Sequence, residues 1–276
     1  MHLTGVGTNQ LLTQTNQLRL RKPPWASNFV HAIILAAVLS ATPAWASGGP
    51  PMITDDPGTP GDGHWEINVA SMSNHAGGAT TYQLPLVDAN YGLGDRIQLK
   101  FEMPWLLQDE ANGTRRNGAG DALAGVKWRF FDAGENGWQI STYPQVEFGV
   151  PPSNSKHNGL TDDGTSYLLP VEFVHRFDGF DINFELGRWF RSAQQADSWI
   201  AGFVLTHEVK KGFELIAELH NEIAMHQSQN ELILNFGARY DFSERYALLV
   251  SAGRDLHNTL GDMNTLLTYL GLQMHY

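Results

Sequence analysis

The chain has 276 residues and no cysteine, with 17% charged and 11% aromatic residues, 28 glycines, a mean hydropathy of −0.27 and a formal net charge of −11. This excludes a disulfide scaffold and a thiolate metal site, a disordered polyelectrolyte, and a protein built to seek nucleic acid phosphates. No stretch in the body of the chain stays apolar for the roughly 20 residues that a membrane-spanning helix requires.

The first element in chain order is the apolar run "FVHAIILAAVLSATPAWAS", preceded by Arg19, Arg21 and Lys22. A basic flank, a short apolar core and an A-x-A site describe a secretory signal peptide, here with Ala44-Trp45-Ala46 as the site and cleavage expected after Ala46. The alternative is an N-terminal membrane anchor, but the run is short and closes on Pro43 and the A-x-A. The segment before Arg19 is long for a signal n-region, as a start codon placed too early would make it. Removing three of 18 bases and none of 29 acids leaves the mature part at a formal −14.

Residues 47–63 form a leader, "SGGPPMITDDPGTPGDG", too rich in Pro and Gly for a strand. It either folds into a lumen as a plug or trails in the periplasm. Asp55, Asp56 and Asp62 invite a calcium site, but the spacing lacks the D-x-D-x-D-G pattern.

From Trp65 onward apolar and polar residues alternate with a period of two. Trp65, Ile67 and Val69 oppose Glu66 and Asn68, while Ile97, Leu99, Phe101 and Met103 oppose Gln98, Lys100 and Glu102. Similar segments recur in "TTYQLPLVDANY", where Pro85 suggests a bulge, then "DALAGVKWRFF", "QISTYPQVEFGV", "SYLLPVEFVHRF", "FDINFELGRWF", "SWIAGFVLTHEV", "FELIAELHNE", "ELILNFGARYDF", "YALLVSAGRDL" and "TLLTYLGLQMHY". With the first two that makes twelve strands. Short turns ("GLGD", "DAGENG", "DGFD", "KKG", "SER") alternate with longer polar links ("NHAGGAT", "QDEANGTRRNGAG", "PPSNSKHNGLTDDGTS", "RSAQQADS", "MHQSQN", "HNTLGDMN"). Five short and six long links are what twelve antiparallel strands in up-and-down order require, and outer-membrane barrels pair short periplasmic turns with long extracellular loops.

A soluble lipocalin-like barrel or sandwich would also have one apolar face per strand. It would have to bury the aromatic-rich face inside, and twelve strands enclose more than the side chains of a roughly eight-stranded interior can fill. A lipid-facing belt accommodates the rings, and aromatics stand near strand ends as girdles do: Trp65, Tyr91, Trp105, Phe130, Trp138, Tyr167, Phe177, Trp189, Trp199, Phe213, Tyr240, Phe242, Tyr246 and Tyr276. The last strand must then close against the first and leave no edge in lipid. The expected fold is therefore all-β, a 12-stranded antiparallel up-and-down transmembrane β-barrel over residues 64–276.

The segments "MITDDPGTPGDGHWEIN", "YGLGDRIQLKFEMPW" and "GDALAGVKWRFFD", with the terminal strand, resemble the outer-membrane proteins of the phenol meta-pathway, a transporter-like family, from about Thr54 to Tyr276. The resemblance implies uptake of small hydrophobic or aromatic compounds across a Gram-negative outer membrane, and it carries over no functional residue. The ending, with Gly271, Met274 and Tyr276, also resembles the C-terminal signal read by the barrel-assembly machinery, although Met274 stands where an aromatic is more usual.

In this register the inward acids are Glu66, Glu102, Asp121, Glu147, Glu172, Glu185, Glu208, Glu214, Glu218, Glu222 and Asp241, and the inward bases are Lys100, Lys127, Arg129, Arg176 and Arg239. Eleven against five gives an acidic lumen with weak cation preference; the plainer alternative is that these groups pair across strands and merely solvate a narrow, plugged lumen. Across "KKG", Glu208 faces Glu214, with Glu218 and His220 following on the same face; such acids hold a cation or are simply hydrated. Lys156, His157, Asp162 and Asp163 in the third long link form no motif, and Arg115 and Arg116 meet either lipopolysaccharide phosphates or water.

For an enzyme, His175, His207 and His257 could serve as bases, but no serine stands in a nucleophile motif and H-E-x-x-H is absent. The expected activity is passive passage of small molecules without catalytic residues, cofactor or metal, against the alternatives of a structural or adhesive barrel and, further off, a lipid-modifying one. The partners expected are outer-membrane lipid and lipopolysaccharide, the assembly machinery and a small-molecule solute, not nucleic acid.

Overall fold

A computed structural model describes residues 49–134, 137–150, 155, 157–161, 164–192, 195–225 and 229–276. The signal peptide expected over 1–46 lies outside them, as do Lys156, Asp162 and Asp163. The strands are β1 (Trp65–Ala76), β2 (Ala79–Leu93), β3 (Ile97–Asp109), β4 (Arg115–Ala119), β5 (Ala122–Asp132), β6 (Trp138–Thr142), β7 (Gln145–Phe148), β8 (Thr165–Phe177), β9 (Phe180–Phe190), β10 (Ser198–Lys210), β11 (Phe213–Ala224), β12 (Asn230–Asp241), β13 (Tyr246–Asn258) and β14 (Asn264–His275).

These fourteen segments make twelve staves of one closed antiparallel barrel, because β4 and β5 both pair with β3, and β6 and β7 both pair with β5 and β8. The first interruption falls at Gly120 and Asp121, where the Gly120 amide bonds the Pro104 carbonyl (2.9 Å). The second falls at Tyr143 and Pro144; proline has no N–H to give the ladder, and its carbonyl instead accepts the Val126 amide (3.0 Å). Closure is made by β1 on β14, from Glu66 opposite His275 to Ala76 opposite Asn264. Trp65 and Tyr276 complete it by exchanging both backbone hydrogen bonds (2.8 and 3.0 Å). No edge is left along this seam, as a hydrocarbon surrounding demands.

The alternation expected from sequence sets the two faces. Leu186, Phe236 and Leu270 are 58%, 58% and 56% exposed, while their chain neighbours Glu185, Asn235 and Tyr269 are 3%, 4% and 6% exposed. An apolar outside and a polar inside invert the soluble arrangement, and an exposed apolar band of this extent is at home in a bilayer. Trp65, Trp105, Trp138, Tyr167, Trp199, Tyr240 and Tyr276 stand exposed on this outer face.

Three expectations are corrected. The link "NHAGGAT" is no loop: β1 and β2 run on to a two-residue turn of Gly77 and Gly78, both at positive φ (57° and 79°), a conformation in which glycine is unstrained. The link "QDEANGTRRNGAG" contains β4, so it is a projecting hairpin whose tip is closed by the Glu110 amide on the Thr114 carbonyl (2.9 Å). Trp189 shares the inward parity of Glu185 on β9, and Arg188 takes the outward place beside Trp199. Pro85 does lie within a register shift, between Gln83 and Leu86.

Gly271 has a packing role that the terminal signal did not suggest. A Cβ built there would lie 2.6 Å from Cε1 and 2.7 Å from the hydroxyl of Tyr269, so the inward ring of Tyr269 rests directly on the bare backbone. Gly271→Val is expected to destabilise the folded barrel by about 1–3 kcal/mol through overpacking. A lowered urea midpoint of the refolded protein, partly restored by adding Tyr269→Ala, is the expected reading; an unchanged midpoint would show that the ring moves freely aside.

Candidate functional site

The leader, residues 49–63, runs through the inside of the barrel and reaches both walls. Its central peptides carry amide donors without a strand partner, and inward carboxylates supply acceptors. On β11, Glu218 is 1% exposed; it accepts the amides of Ile53 (3.0 and 3.2 Å) and Thr54 (2.6 Å) and the Asn235 side-chain amide (3.2 Å). On β9, Glu185 accepts the Asp55 amide (3.3 Å) and Asn183 donates to the Asp55 carbonyl (2.8 Å). On β13, Ser251 donates to the Pro51 carbonyl (2.8 Å). Met52 fills an apolar niche with Val204 and Ile216.

Three inward glycines make room for this chain, among them Gly92, whose built Cβ would run into the Gly61 carbonyl. A Cβ at Gly202 would stand 2.1 Å from Thr54 Oγ1, and one at Gly237 would stand 2.2 Å from Met52 Cε.

Across the lumen, the buried Lys127 ammonium on β5 donates to Asp55 Oδ1 (2.7 Å) and to the Asp56 carbonyl. It also lies 4.7 Å from the Tyr143 ring centre and 3.9 Å from Glu172, which accepts the Ser141 hydroxyl. Burial by itself would raise the Asp55 carboxyl, but Lys127 and Lys100 outweigh it and hold the group below its ordinary value. The remaining aspartates of the leader do not converge: Asp56 accepts the Gly58 amide (2.7 Å) and Asp62 the Gly94 amide (2.8 Å). Among the described residues no group of His, Asp and Glu is placed to hold a metal ion.

Opposite the leader, β1, β2 and β3 present a polar wall. Asp88 accepts Asn68 and Asn90 amides (both 3.1 Å), Gln98 donates to Asn90 (2.8 Å) and Tyr143 (3.3 Å), and Lys100 lies 3.6 Å from Asp88 and 3.0 Å from Glu102. Between this wall and the leader is a void of ≈ 20 Å³ lined in part by Asp55, Asp56, Glu66, Asp88, Lys100 and Lys127, room for about one water. Beside it lies an apolar patch of Ala70, Leu86, Ala247, Leu249 and Tyr269, with Met72 packed against it.

The other charged residues singled out from sequence gather toward the barrel ends or interruptions. Arg239 pairs with Asp241 (2.9 Å) and donates to Gln273. Arg129 pairs with Asp132 (3.2 Å), and Arg176 with Asp181 (3.5 Å). Glu222 takes Arg191 (2.8 Å) and Ser198 (2.6 Å). Glu208 stands opposite Glu214 in the ladder, and His220 Nδ1 is 3.4 Å from Thr54 Oγ1. Glu147 sits on β7 opposite Leu123 and Ser166, and Asp121 at the interruption between β4 and β5. Arg115 and Arg116 pair with Asp109 and Glu110 within the projecting hairpin.

The three candidate histidines stand apart: His175 stacks on Phe177 (4.4 Å), His207 contacts the Gly179 carbonyl (2.7 Å), and His257 faces Leu232. Sequence reasoning missed the glycine recesses and the leader's backbone amides, whose role depends on what approaches them.

No family model matches the chain, and no curated protein matches it. Its fold is that of solved outer-membrane barrels. The COG4313 outer membrane channel from Pseudomonas putida F1 is 16% identical with a TM-score of 0.67, covering 82% of this chain and 100% of that one. The KdgM porin is 9% identical, with a TM-score of 0.55 and coverages of 76% and 98%. The transport unit of the autotransporter AIDA-I from Escherichia coli is 11% identical, with a TM-score of 0.50 and coverages of 92% and 99%.

Proposed function

We propose that the protein is a passive outer-membrane channel for small molecules, with the leader as its constriction and the β1–β3 side of the lumen, where a small void remains, as its path. The observation that carries this is the docked leader: its anchors lie on β5, β9, β11 and β13, while a void and a polar wall remain on the side of β1 to β3. A structural barrel has no need of an internal strap held by carboxylates drawn from distant strands. The proposal includes export by the signal peptide, cleavage near Ala46 and insertion by the assembly machinery through β14. Lumen-lining roles go to Lys100, Glu102, Asp121, Lys127, Arg129, Glu147, Glu172, Glu185, Glu208, Glu214, Glu218, His220, Glu222, Arg239 and Asp241. The apolar patch around Leu86, Leu249 and Tyr269 supports a solute with an apolar body, in keeping with the expected hydrophobic or aromatic class.

Four carboxyl side chains and two ammonium groups line the void, so cations are favoured in a narrow, poorly screened passage. In a planar bilayer under a salt gradient the reversal potential is expected to have the sign of cation preference. Asp88→Asn is expected to move it toward zero, and Lys100→Gln away from zero. A well-folded protein that never conducts, with or without its leader, would sink the channel and favour the structural barrel.

A further inference from the structure

The outer surface of β8 to β11 carries a feature the conduit does not use. Near the long-link end, Leu169, Arg188, Trp199 and Ile223 are cross-strand neighbours in one outward row. The next row toward the membrane centre is Leu186, Ala201, Asn221 and Leu232, and the one below is Phe173, Phe184, Phe203 and Leu219. Ala201 offers a single methyl among large side chains, and the result is a concavity of ≈ 570 Å³ on the outer wall. The hollow is an open groove on the wall, not an enclosed cavity, and its volume matches that of ligand pockets.

Arg188 stands one outward row above the concavity, two residues beyond Leu186 on β9. Its guanidinium carbon is 4.6 Å from the Phe190 ring centre and 5.6 Å from that of Trp199, and its side chain is 30% exposed. One nitrogen donates to Asp197 (2.8 Å), and that carboxylate is shared with the Arg191 amide (3.0 Å). A guanidinium has five N–H donors, so Asp197 fixes the group on its rings and, among the described residues, leaves most of its fork unused. A cation facing outward is costly at the membrane centre and tolerable at the interface, which is where the aromatic girdle puts it. One row below, Asn221 lies on the apolar face with its amide oxygen buried and, among the described residues, without a hydrogen-bond partner.

We propose that this surface binds one lipopolysaccharide molecule of the outer leaflet, with a lipid A phosphate on Arg188 and an acyl chain in the groove over Ala201. Long links face the cell exterior in such barrels, so the Arg188 row meets the outer leaflet, where the phosphorylated glycolipid resides. A planar fork matches a phosphate with two parallel hydrogen bonds, and an apolar chain fills a hollow that water would not occupy. The site rests on the membrane orientation proposed above but not on conduction, so a silent channel leaves it standing.

The test is native mass spectrometry of the refolded full chain titrated with lipid A, with dephosphorylated lipid A and with phosphatidylethanolamine. Retention of one lipid A is expected, with apparent affinity reduced about tenfold, the equivalent of one strong contact, in both Arg188→Gln and Ala201→Trp. Dephosphorylated lipid A should bind the native chain and Arg188→Gln equally weakly. Arg188→Lys, which keeps the charge and loses the fork, should fall between. Heat-modifiable gel mobility confirms that each variant is folded, and Ala201→Leu replaces Ala201→Trp if the larger ring impairs folding. Undiminished lipid A binding by folded Arg188→Gln and groove-filled variants would overturn the site, as would equal retention of phosphatidylethanolamine. Pairing of two protein chains in place of lipid retention would assign the groove to a second copy and overturn it as well.

Discussion

Replacing Glu218 by alanine is expected to free the leader from the lumen. The carboxylate accepts two leader amides and one side-chain amide in a site shielded from water. Hydrogen bonds to a charged group contribute about 1.5–3 kcal/mol each. Loss of the two leader bonds therefore shifts the balance between docked and undocked leader by roughly 3–5 kcal/mol, or on the order of a hundredfold or more. The measurement is hydrogen exchange at the Ile53 and Thr54 amides, whose protection should collapse by that factor while the amides of β10 to β14 stay protected. Glu218→Gln keeps one acceptor oxygen and should show a smaller loss. Single-channel conductance should rise in the same order, native, then Gln, then Ala. Unchanged protection of Ile53 in the alanine variant would mean that Glu218 does not hold the strap.

The second large effect is steric. Gly202 lies against Thr54, and any side chain at this position would occupy the hydroxyl's place, 2.1 Å from the built Cβ. Gly202→Leu leaves the β10 ladder intact, because the backbone of an inward strand position accepts a leucine in any ordinary strand conformation. The leader must therefore move instead of the barrel. The variant is expected to conduct like a protein lacking residues 49–62, severalfold above the native level, and to expose the leader to protease. Gly237→Leu should behave similarly through Met52, less cleanly because Val250 O is also within 2.8 Å of the built Cβ. A compensating pair, Gly202→Ala with Thr54→Gly, should restore the native conductance. If Gly202→Leu conducts no more than the native protein, the leader is not the constriction.

These two residues mark how far the sequence could be read. The alternation puts Glu218 on an inward face by its parity with Glu214 and His220. Its partner could not be named, because Ile53 and Thr54 lie more than 160 residues away in a segment with no period of its own. Gly202 gave no sign at all: a glycine in a strand can mark a bulge, a weak spot or a close approach, and only the approaching chain decides among them. Trp189 shows the opposite failure. Its position near a strand end suggested a girdle, yet the alternation around Glu185 required it to face inward, and Arg188 took the lipid-facing place.

By itself the amino-acid pattern determined the all-β class, the number of staves and which side of each meets lipid, because a period of two is a local property of an extended backbone. The Gly-Gly turn and the interruption at Pro144 are likewise local chemistry. The tertiary structure alone decided that the leader threads the lumen, which carboxylates hold it, and where an outward cation comes to stand above an apolar hollow. Each of these depends on closure of the ring of strands, which brings groups far apart in the chain within hydrogen-bonding reach and cannot be inferred from any one segment.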